Sequence, residues 1–488
     1  MNASILLRRA APLAIAIGLA GCASSAGLHP QAERMPAQNL QAASSLRDIP
    51  LSAAAWPRDD WWKSLGDAQL DRLIDQALRD SPDMQVASAR AHQAMAEADA
   101  ADAARMPSLD ASAGVTRSRL ARDQDPLGQG SRYSTVRNLG LNFNYSFDLW
   151  GGQRANWEAA LGQARAAEVD RQAARLTLAT DVARAYSQLA QAHVMRDLAA
   201  EDLQRTRQML DLGQKRLGSG IDSQYQFQQS QSLEAGARQA LLDAESQLRS
   251  AQIALAVLLG KGPDEGSRLA RPQVLQPAVV QLPSSLPAEL LGRRPDVVAA
   301  RWRVEAAGKG IEASKTRFYP NLNLSAAAGT ESLLGDALFG SASRFFNIRP
   351  TVSLPLFDGG RLRADLDARD ADYELAVAQY NKVLVAALGE VADGIGQLRD
   401  IDGQVQARRE ATDIVRRSFD TATQRYAAGI GNYLDVLSVE QQLLQSQRQL
   451  ADLDARRIDL SIRLMQALGG GFIADAQAAQ VPPVSLQR

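Results

Sequence analysis

A chain of 488 residues that sets 54 Lys and Arg against 55 Asp and Glu carries a formal charge of −1 at pH 7, which leaves no basic field to gather nucleic acid. Cys22 is its only cysteine, so a disulfide within the chain is excluded and a thiolate metal cluster is starved of ligands. With 5% aromatic residues and an abundance of Ala, Gln and Leu, the composition suits long helices in one elongated body better than several compact cores.

The amino terminus sets the compartment. Arg8 and Arg9 precede an apolar run, Ala10 to Ala20, that is too short to span a bilayer as a helix and fits the core of a secretory signal over residues 1–21. The run closes on Leu19-Ala20-Gly21-Cys22, which resembles the bacterial lipobox. That resemblance implies cleavage before Cys22 and a diacylglycerol on its sulfur; the plainer alternative is an incidental cysteine in an ordinary signal. Several acyl chains anchor far more firmly than one. Ala23, in place of the aspartate that resembles an inner-membrane retention signal, points to outer membrane lipid, and residues 22–55 read as a lipidated tether.

After Trp61-Trp62, Leu65, Leu70, Leu73, Ile74, Ala77 and Leu78 recur at three and four, predicting an amphipathic helix. Pro82 starts a second helix that runs to about Arg105, and Pro107 stops it. The period then falls from 3.6 to 2. Leu109, Ala111, Ala113 and Val115 alternate with polar or small residues, as do Leu139, Leu141, Phe143, Tyr145, Phe147 and Leu149, predicting a β-hairpin over 107–149. Gly151 and Gly152 permit a sharp strand-to-helix turn. A proline-free helix is expected over 152–213, with Val182, Leu189, Leu203 and Leu210 on a seven-residue ladder that Arg196 interrupts. A tip at 214–222 and a helix at 223–258, with Leu241, Leu248 and Leu255 on a ladder of their own, complete a first half of residues 56–260. Seven-residue spacing packs helices along seams.

Past a Pro-rich connector at 261–293, the pattern returns. Arg294-Pro295-Asp296 answers Ser81-Pro82-Asp83, and Tyr319-Pro320 answers Met106-Pro107, at a shift of 213 (294 − 81, 319 − 106). Gly429 answers Gly220, and Gly469 answers Gly260, at 209 (429 − 220, 469 − 260). The second half, 294–470, therefore carries a helix, a hairpin at 320–357, turn glycines Gly359 and Gly360, and a long helix at 360–427 with the ladder Val377, Leu384, Val391, Leu398 and Val405. A tip at 426–432, a helix at 432–468 and a tail at 471–488 follow. A unit of about 200 residues is too long for a solenoid and reads as a duplicated half-protein.

Each alternating run has the length of a tilted bilayer-spanning strand, about 10 residues. A soluble, half-buried sheet gives the same alternation. Four strands leave two edges, and hydrocarbon does not tolerate an open edge, so a single chain cannot close a barrel. Two chains would enclose a bore filled by side chains, whereas three would leave room for water, which the polar face of Asn138, Asn142 and Asn144 suits. The loops at about 119–135 and 331–347 would face outside the cell.

The Leu-Ala-Gly-Cys end of the signal, the run WWKSLGDAQLDRLIDQAL, the two Pro-Asp helix starts, the paired-glycine turns and the run RYAAGIGNYLDVL from Arg425 together resemble the outer membrane factor family. These are the TolC/OprM-like channels, and the match is to their NodT-type efflux lipoprotein branch, over about Trp61 to Gly470. The resemblance implies a homotrimer whose twelve-stranded transmembrane β-barrel, four strands per chain, continues into a long α-helical periplasmic barrel belted by the connector and both termini. It implies a passive export conduit for small toxic compounds or drugs, working with a periplasmic membrane-fusion adaptor and an inner-membrane pump, commonly of the RND type.

In that frame the tips are expected to meet the adaptor. They comprise Leu217, Gly218, Ser219, Gly220, Ile221, Asp222 and Ser223 in the first half, and Ala427, Ala428, Gly429, Ile430, Gly431 and Asn432 in the second. From the residues alone, Gly220 and Gly429 say only that two helices reverse. The resemblance also makes Tyr426, Leu434 and Asp435 a periplasmic gate: an aromatic contact, an apolar constriction and an acidic ring whose copies would repel one another and attract cations. Taken alone, Asp435 reads as a solvated helix face. Three positions depart from the family pattern: Ser438 where an acid is common, Gly431 where an arginine latch is common, and Gln226 as the first-half counterpart of Asp435.

No catalytic constellation is present in the sequence. His29, His92 and His193 stand far apart, there is no nucleophile elbow, and Gly308-Lys309-Gly310 lacks the rest of a phosphate loop and reads as helix interior. An enzyme, a cofactor and a metal are not expected, and the eight scattered methionines make no copper ladder. Two rivals remain: a lipid-anchored coiled-coil scaffold without a pore, against which four bilayer-length strands argue, and a protein-secretion duct of the same fold.

Overall fold

The structure is a computed structural model that describes residues 25–36, 56–119, 121, 133–277, 292–332 and 338–474. Cys22, residues 37–55 of the tether, 278–291 of the connector and 475–488 of the tail lie outside these. The chain forms two compact units, and each draws on both sequence halves. One comprises Met1–Arg34, Ala91–Ala167 and Ala300–Tyr380, the other Met35–Arg90, Glu168–Ala299 and Asn381–Arg488.

The first unit holds an antiparallel sheet of β1 (Ser108–Arg119), β2 (Tyr133–Phe147), β3 (Asn321–Ser332) and β4 (Arg344–Ser353), in that order, with the β2–β3 pair joining the halves. Its register follows the alternation. Leu109, Phe143, Ala326 and Ile348 share one rung, and Ala111, Leu141, Ala328 and Phe346 another, on a single apolar face. Asp110, Asn142, Ala327 and Asn347 fall on the opposite face, and a slip of one residue would exchange the two sets. Phe345 departs from this rule: it shares the polar-face rung of Gly140 and Gly329, and its ring edge comes within 3.9 Å of where a Cβ on Gly140 would stand. Leu109, Val115, Phe346, Ile348 and Val352 are exposed, so the apolar face is not the half-buried side of a soluble sheet. Residues 25–34 lie on the same unit, with Leu28 packed against Ile311, Phe318, Leu362 and Leu366 and the Gln31 N–H donating to Glu374.

The helices are α1 (Ala68–Asp80), α2 (Pro82–Ala103), α3 (Gly152–Gly218), α4 (Gln224–Leu258), the single turn α5 (Pro263–Gly266), α6 (Pro295–Thr316), α7 (Arg361–Ala427) and α8 (Tyr433–Ala467). Equivalent helices of the two halves match to the residue: α2 and α6 have 22, α3 and α7 have 67, α4 and α8 have 35. The helix expected over 152–213 continues to Gly218, because Gly213 is buried beside Ser230 and the first left-handed residue is Gly220. The ladders are core: Val182, Leu189, Leu203, Val377, Leu384, Val391 and Val405 are buried, while Arg196 is exposed. No described helix is long and apolar enough to cross a membrane.

In the second unit, Trp61, Trp62, Leu65, Leu70 and Ile74 pack on Leu178, Val182, Tyr186 and Leu189 of α3, with Leu255 of α4 and Ile458 and Ile462 of α8. Asp67 pins this core. It caps α1 through the Gln69 N–H at 2.8 Å and also accepts from the Tyr186 hydroxyl at 2.6 Å and the Gln273 N–H at 2.9 Å. Burial alone would raise its pKa, but these donors hold it below the usual carboxylate range.

Within each half, two helices meet end to end in this unit. A Cβ on Gly260, just past α4, would lie 2.9 Å from Pro82 Cδ at the start of α2. One on Gly469, just past α8, would lie 1.9 Å from the Arg293 carbonyl oxygen ahead of α6. The first joint is closed by Ser81, whose Oγ accepts from the Asp83 N–H at 3.3 Å. The second is closed by the buried Arg294, which donates to Asp296 at 2.6 Å, Glu390 at 2.7 Å and the Ala467 carbonyl at 3.3 Å.

Candidate gate and docking tips

Both tips fold by the same backbone rule. In the first, the Gly220 N–H donates to the Leu217 carbonyl at 3.0 Å and the Ile221 N–H to that of Arg216 at 2.9 Å. In the second, Gly429 donates to Tyr426 at 3.0 Å and Ile430 to Arg425 at 3.1 Å. This pair of bonds closes a helix with a left-handed residue, and Gly220 and Gly429 have φ of 71° and 77°. Ser223 then starts α4 with a capping box to Gln226, and Asn432 starts α8 by accepting from the Leu434 N–H at 3.1 Å. Gln226 is thus engaged in the box, on its own hairpin.

The side chains differ sharply. Tyr426 is 1% exposed, and its hydroxyl donates to Asp222 Oδ2 at 2.7 Å. Arg216 Nε donates to the same oxygen at 3.0 Å, and the guanidinium lies 4.4 Å from the Tyr426 ring centroid. Tyr433 packs 5.6 Å from Tyr426, and its hydroxyl meets Ser230 of α4. Met209, Val436 and Leu437 complete this core. Residues 216 and 222 of the first hairpin are therefore stapled to 426 of the second. Burial works against the Asp222 charge, but the Arg216 and Tyr426 bonds win and hold its pKa below the usual value. Burial, and then the Asp222 carboxylate, push the Tyr426 phenol up.

Leu434 and Asp435 take no part in the staple and are exposed. Asp435, Arg417, Arg425 and Asn432 line an open groove of about 450 Å³ on the second hairpin. A Cβ on Gly431 would stand 2.8 Å from the Tyr426 backbone nitrogen, so this tip has no room for an arginine at that position. The first-half counterpart of Gly431 is Asp222 (431 − 209), and the cation that engages it is Arg216 of its own hairpin. The sequence reading missed Arg216; its one signal was an acid two residues past the turn glycine. At the tips, Ile221, Tyr225 and Ile430 project apolar surface into solvent.

At the other end of the long helices, Gly151 has φ 75° and Gly152 already lies in α3, whereas Gly359 and Gly360 are both left-handed at 69° and 90°. Asp148 and Asp358 cap the two helices through backbone N–H groups at Gln153 and Leu362, a role the sequence reading did not assign. Trp150 stacks on Tyr319 with centroids 4.9 Å apart and donates from Nε1 to the Pro320 carbonyl.

The profile of the outer membrane efflux protein family matches residues 73–261 and again residues 286–470. The chain belongs to that family. The two matches are offset by 213 at their starts and 209 at their ends (286 − 73, 470 − 261), the same shifts that relate the two halves. Among similar proteins, the fusaric acid resistance protein FusA of Burkholderia cepacia is 37% identical over 369 residues, 74% of this chain and 69% of its own. The multidrug resistance outer membrane protein MdtP of Escherichia coli is 32% identical over 443 residues, covering 88% of this chain and 89% of its own. Among solved structures, the outer membrane protein VceC of Vibrio cholerae matches with a TM-score of 0.79 at 36% identity, over 86% of this chain and all of that one. The CmeC outer membrane channel of Campylobacter jejuni, at 21% identity, shares the fold with a TM-score of 0.84, over 92% of this chain and 97% of that one. This protein is thus an outer membrane transport protein, the channel component of an efflux system, with the family's fold of transmembrane strands and long helices.

Proposed function

We propose that three copies close their four-stranded sheets into a twelve-stranded outer membrane barrel and form a passive conduit through which small toxic compounds leave the cell. The observation that carries this reading is the sheet: its apolar face is exposed, and β1 and β4 each have a single strand neighbour, so lipid and two further copies satisfy what one chain leaves open. Cys22 carries the lipid anchor. Tips Leu217–Ser223 and 427–432 receive a periplasmic adaptor, with Ile221 and Ile430 as its apolar contacts. An inner-membrane pump of the RND type supplies the energy. Tyr426 holds the periplasmic end closed through Asp222, while Leu434 and Asp435, exposed on each chain, narrow it around the threefold axis.

Purified full-length protein in planar bilayers should show stepwise conductance and migrate as a trimer in mild detergent. A monomer without conductance overturns the reading. Cys22→Ser should abolish incorporation of a palmitate analogue, and retained labelling would remove the anchor assignment.

A further inference from the structure

Beyond the staple, α8 carries an acid that the closure described above does not use. Glu440 is 5% exposed, and its Oε1 has no hydrogen-bond partner among the described residues. Facing it from α3 are Asp202, 6% exposed, and Arg205. The guanidinium of Arg205 is shared out: Nη2 is 3.3 Å from Asp202, Nη1 is 4.0 Å from Glu201 at the surface, and Nε is 3.7 Å from Glu440 Oε1, beyond hydrogen-bond reach. One cation thus serves two buried carboxylates.

Among the described residues nothing nearby makes up the deficit. On α8 itself the neighbouring titratable group is Tyr433, whose hydroxyl is taken by Ser230. On α4 the acid is Glu234, engaged by Arg207 and Arg238. From α7, Phe419 and Ala422 pack on the adjoining Val436 and Leu437. Burial and then the charge of Asp202 push the Glu440 carboxyl up to about 7, with Arg205 pulling the other way. The fold does not demand this cluster, because the first-half counterpart of Glu440 (440 − 209) is Gln231, an exposed amide on α4.

We propose that Glu440 is a proton-operated brake on opening: its neutral carboxyl lets α8 pack on α3, and release of the proton to solvent loosens that seam beside Tyr426 and Tyr433. The sign follows from linkage. A carboxyl whose pKa is raised in the packed state favours that state while protonated, and the contribution fades as pH rises through about 7. This inference rests on the channel reading.

The test is the open fraction of the full-length channel in planar bilayers between about pH 6 and about pH 8. The wild type should open several-fold more often at the upper end. Glu440→Gln should stay at the low, acid-side level throughout, and Asp202→Asn, which frees Arg205 for Glu440, should move the rise to lower pH. A Gln variant that keeps the wild-type rise overturns the brake. Absence of conductance in every variant at every pH strikes the channel reading instead, and amide exchange over residues 433–443 then decides the brake. Protection, corrected for intrinsic exchange, should fall with pH in the wild type and not in Glu440→Gln; equal profiles overturn it.

Discussion

The two tips share a backbone down to individual hydrogen bonds, yet they divide the chemistry unequally. The first contributes Arg216 and Asp222, a half-buried ion pair; the second contributes the phenol of Tyr426 and a glycine where the first has its acid. The joints between stacked helices show the same division, a serine cap in one half and a buried arginine in the other. Duplication fixed the turns, because each needs a left-handed residue whatever else surrounds it. Charge was free to diverge, since one carboxylate accepting from both hairpins is enough to tie them.

The largest effect should appear at the joints. Arg294→Ala leaves the Ala467 carbonyl without this donor and removes the bonds to the exposed Glu390 and Asp296, and should cost about 2 to 3 kcal/mol, against about 1 kcal/mol for Ser81→Ala. Chemical unfolding of the two variants measures the difference, and equal losses would erase the asymmetry. Next comes the staple. Asp222→Ala removes the shared acceptor of Arg216 and Tyr426 and should weaken closure by about 2 kcal/mol, read as a raised open fraction in bilayers. Because the folded-state pKa of Asp222 is depressed, its contribution is complete above the unfolded carboxylate value and is lost only as pH falls below about 4. Closure should therefore weaken through Asp222 in acid, and through Glu440 as pH rises through about 7.

Smaller and symmetric effects belong to the caps. Ser223→Ala and Asn432→Ala should each cost about 1 kcal/mol, and protease sensitivity at the two tips should rise together. The smallest change is expected from Asp435→Asn, which should leave stability unaltered and lower cation preference. An unchanged reversal potential in a salt gradient would take Asp435 out of the conduction path.

Much of the fold was legible because it repeats locally. Leu109 to Val115 and Leu139 to Phe147 announce their strands by alternation, and the observed register simply brings apolar residues to the same rungs. Val182, Leu189 and Leu203 announce a seam by spacing alone. The site was far less legible. Tyr426 lies 204 residues from Asp222, and no periodicity links a phenol to an acid so distant. Tyr426 was singled out only through family resemblance, and Arg216 not at all. The misjudged end of α3 has the same origin: Gly213 looks like a terminator, and only its neighbour Ser230 on α4 reveals that it is helix interior.

The matched helix lengths carry a last consequence. The shift between halves drops from 213 to 209 wholly between Met106 and Gly152 on one side and Tyr319 and Arg361 on the other, within the hairpins. One residue added inside α3 would swing every later side chain by about 100°, carrying Val182 or Leu189 off the core. The long helices are rulers cut to a common gauge, and the hairpins hold the slack.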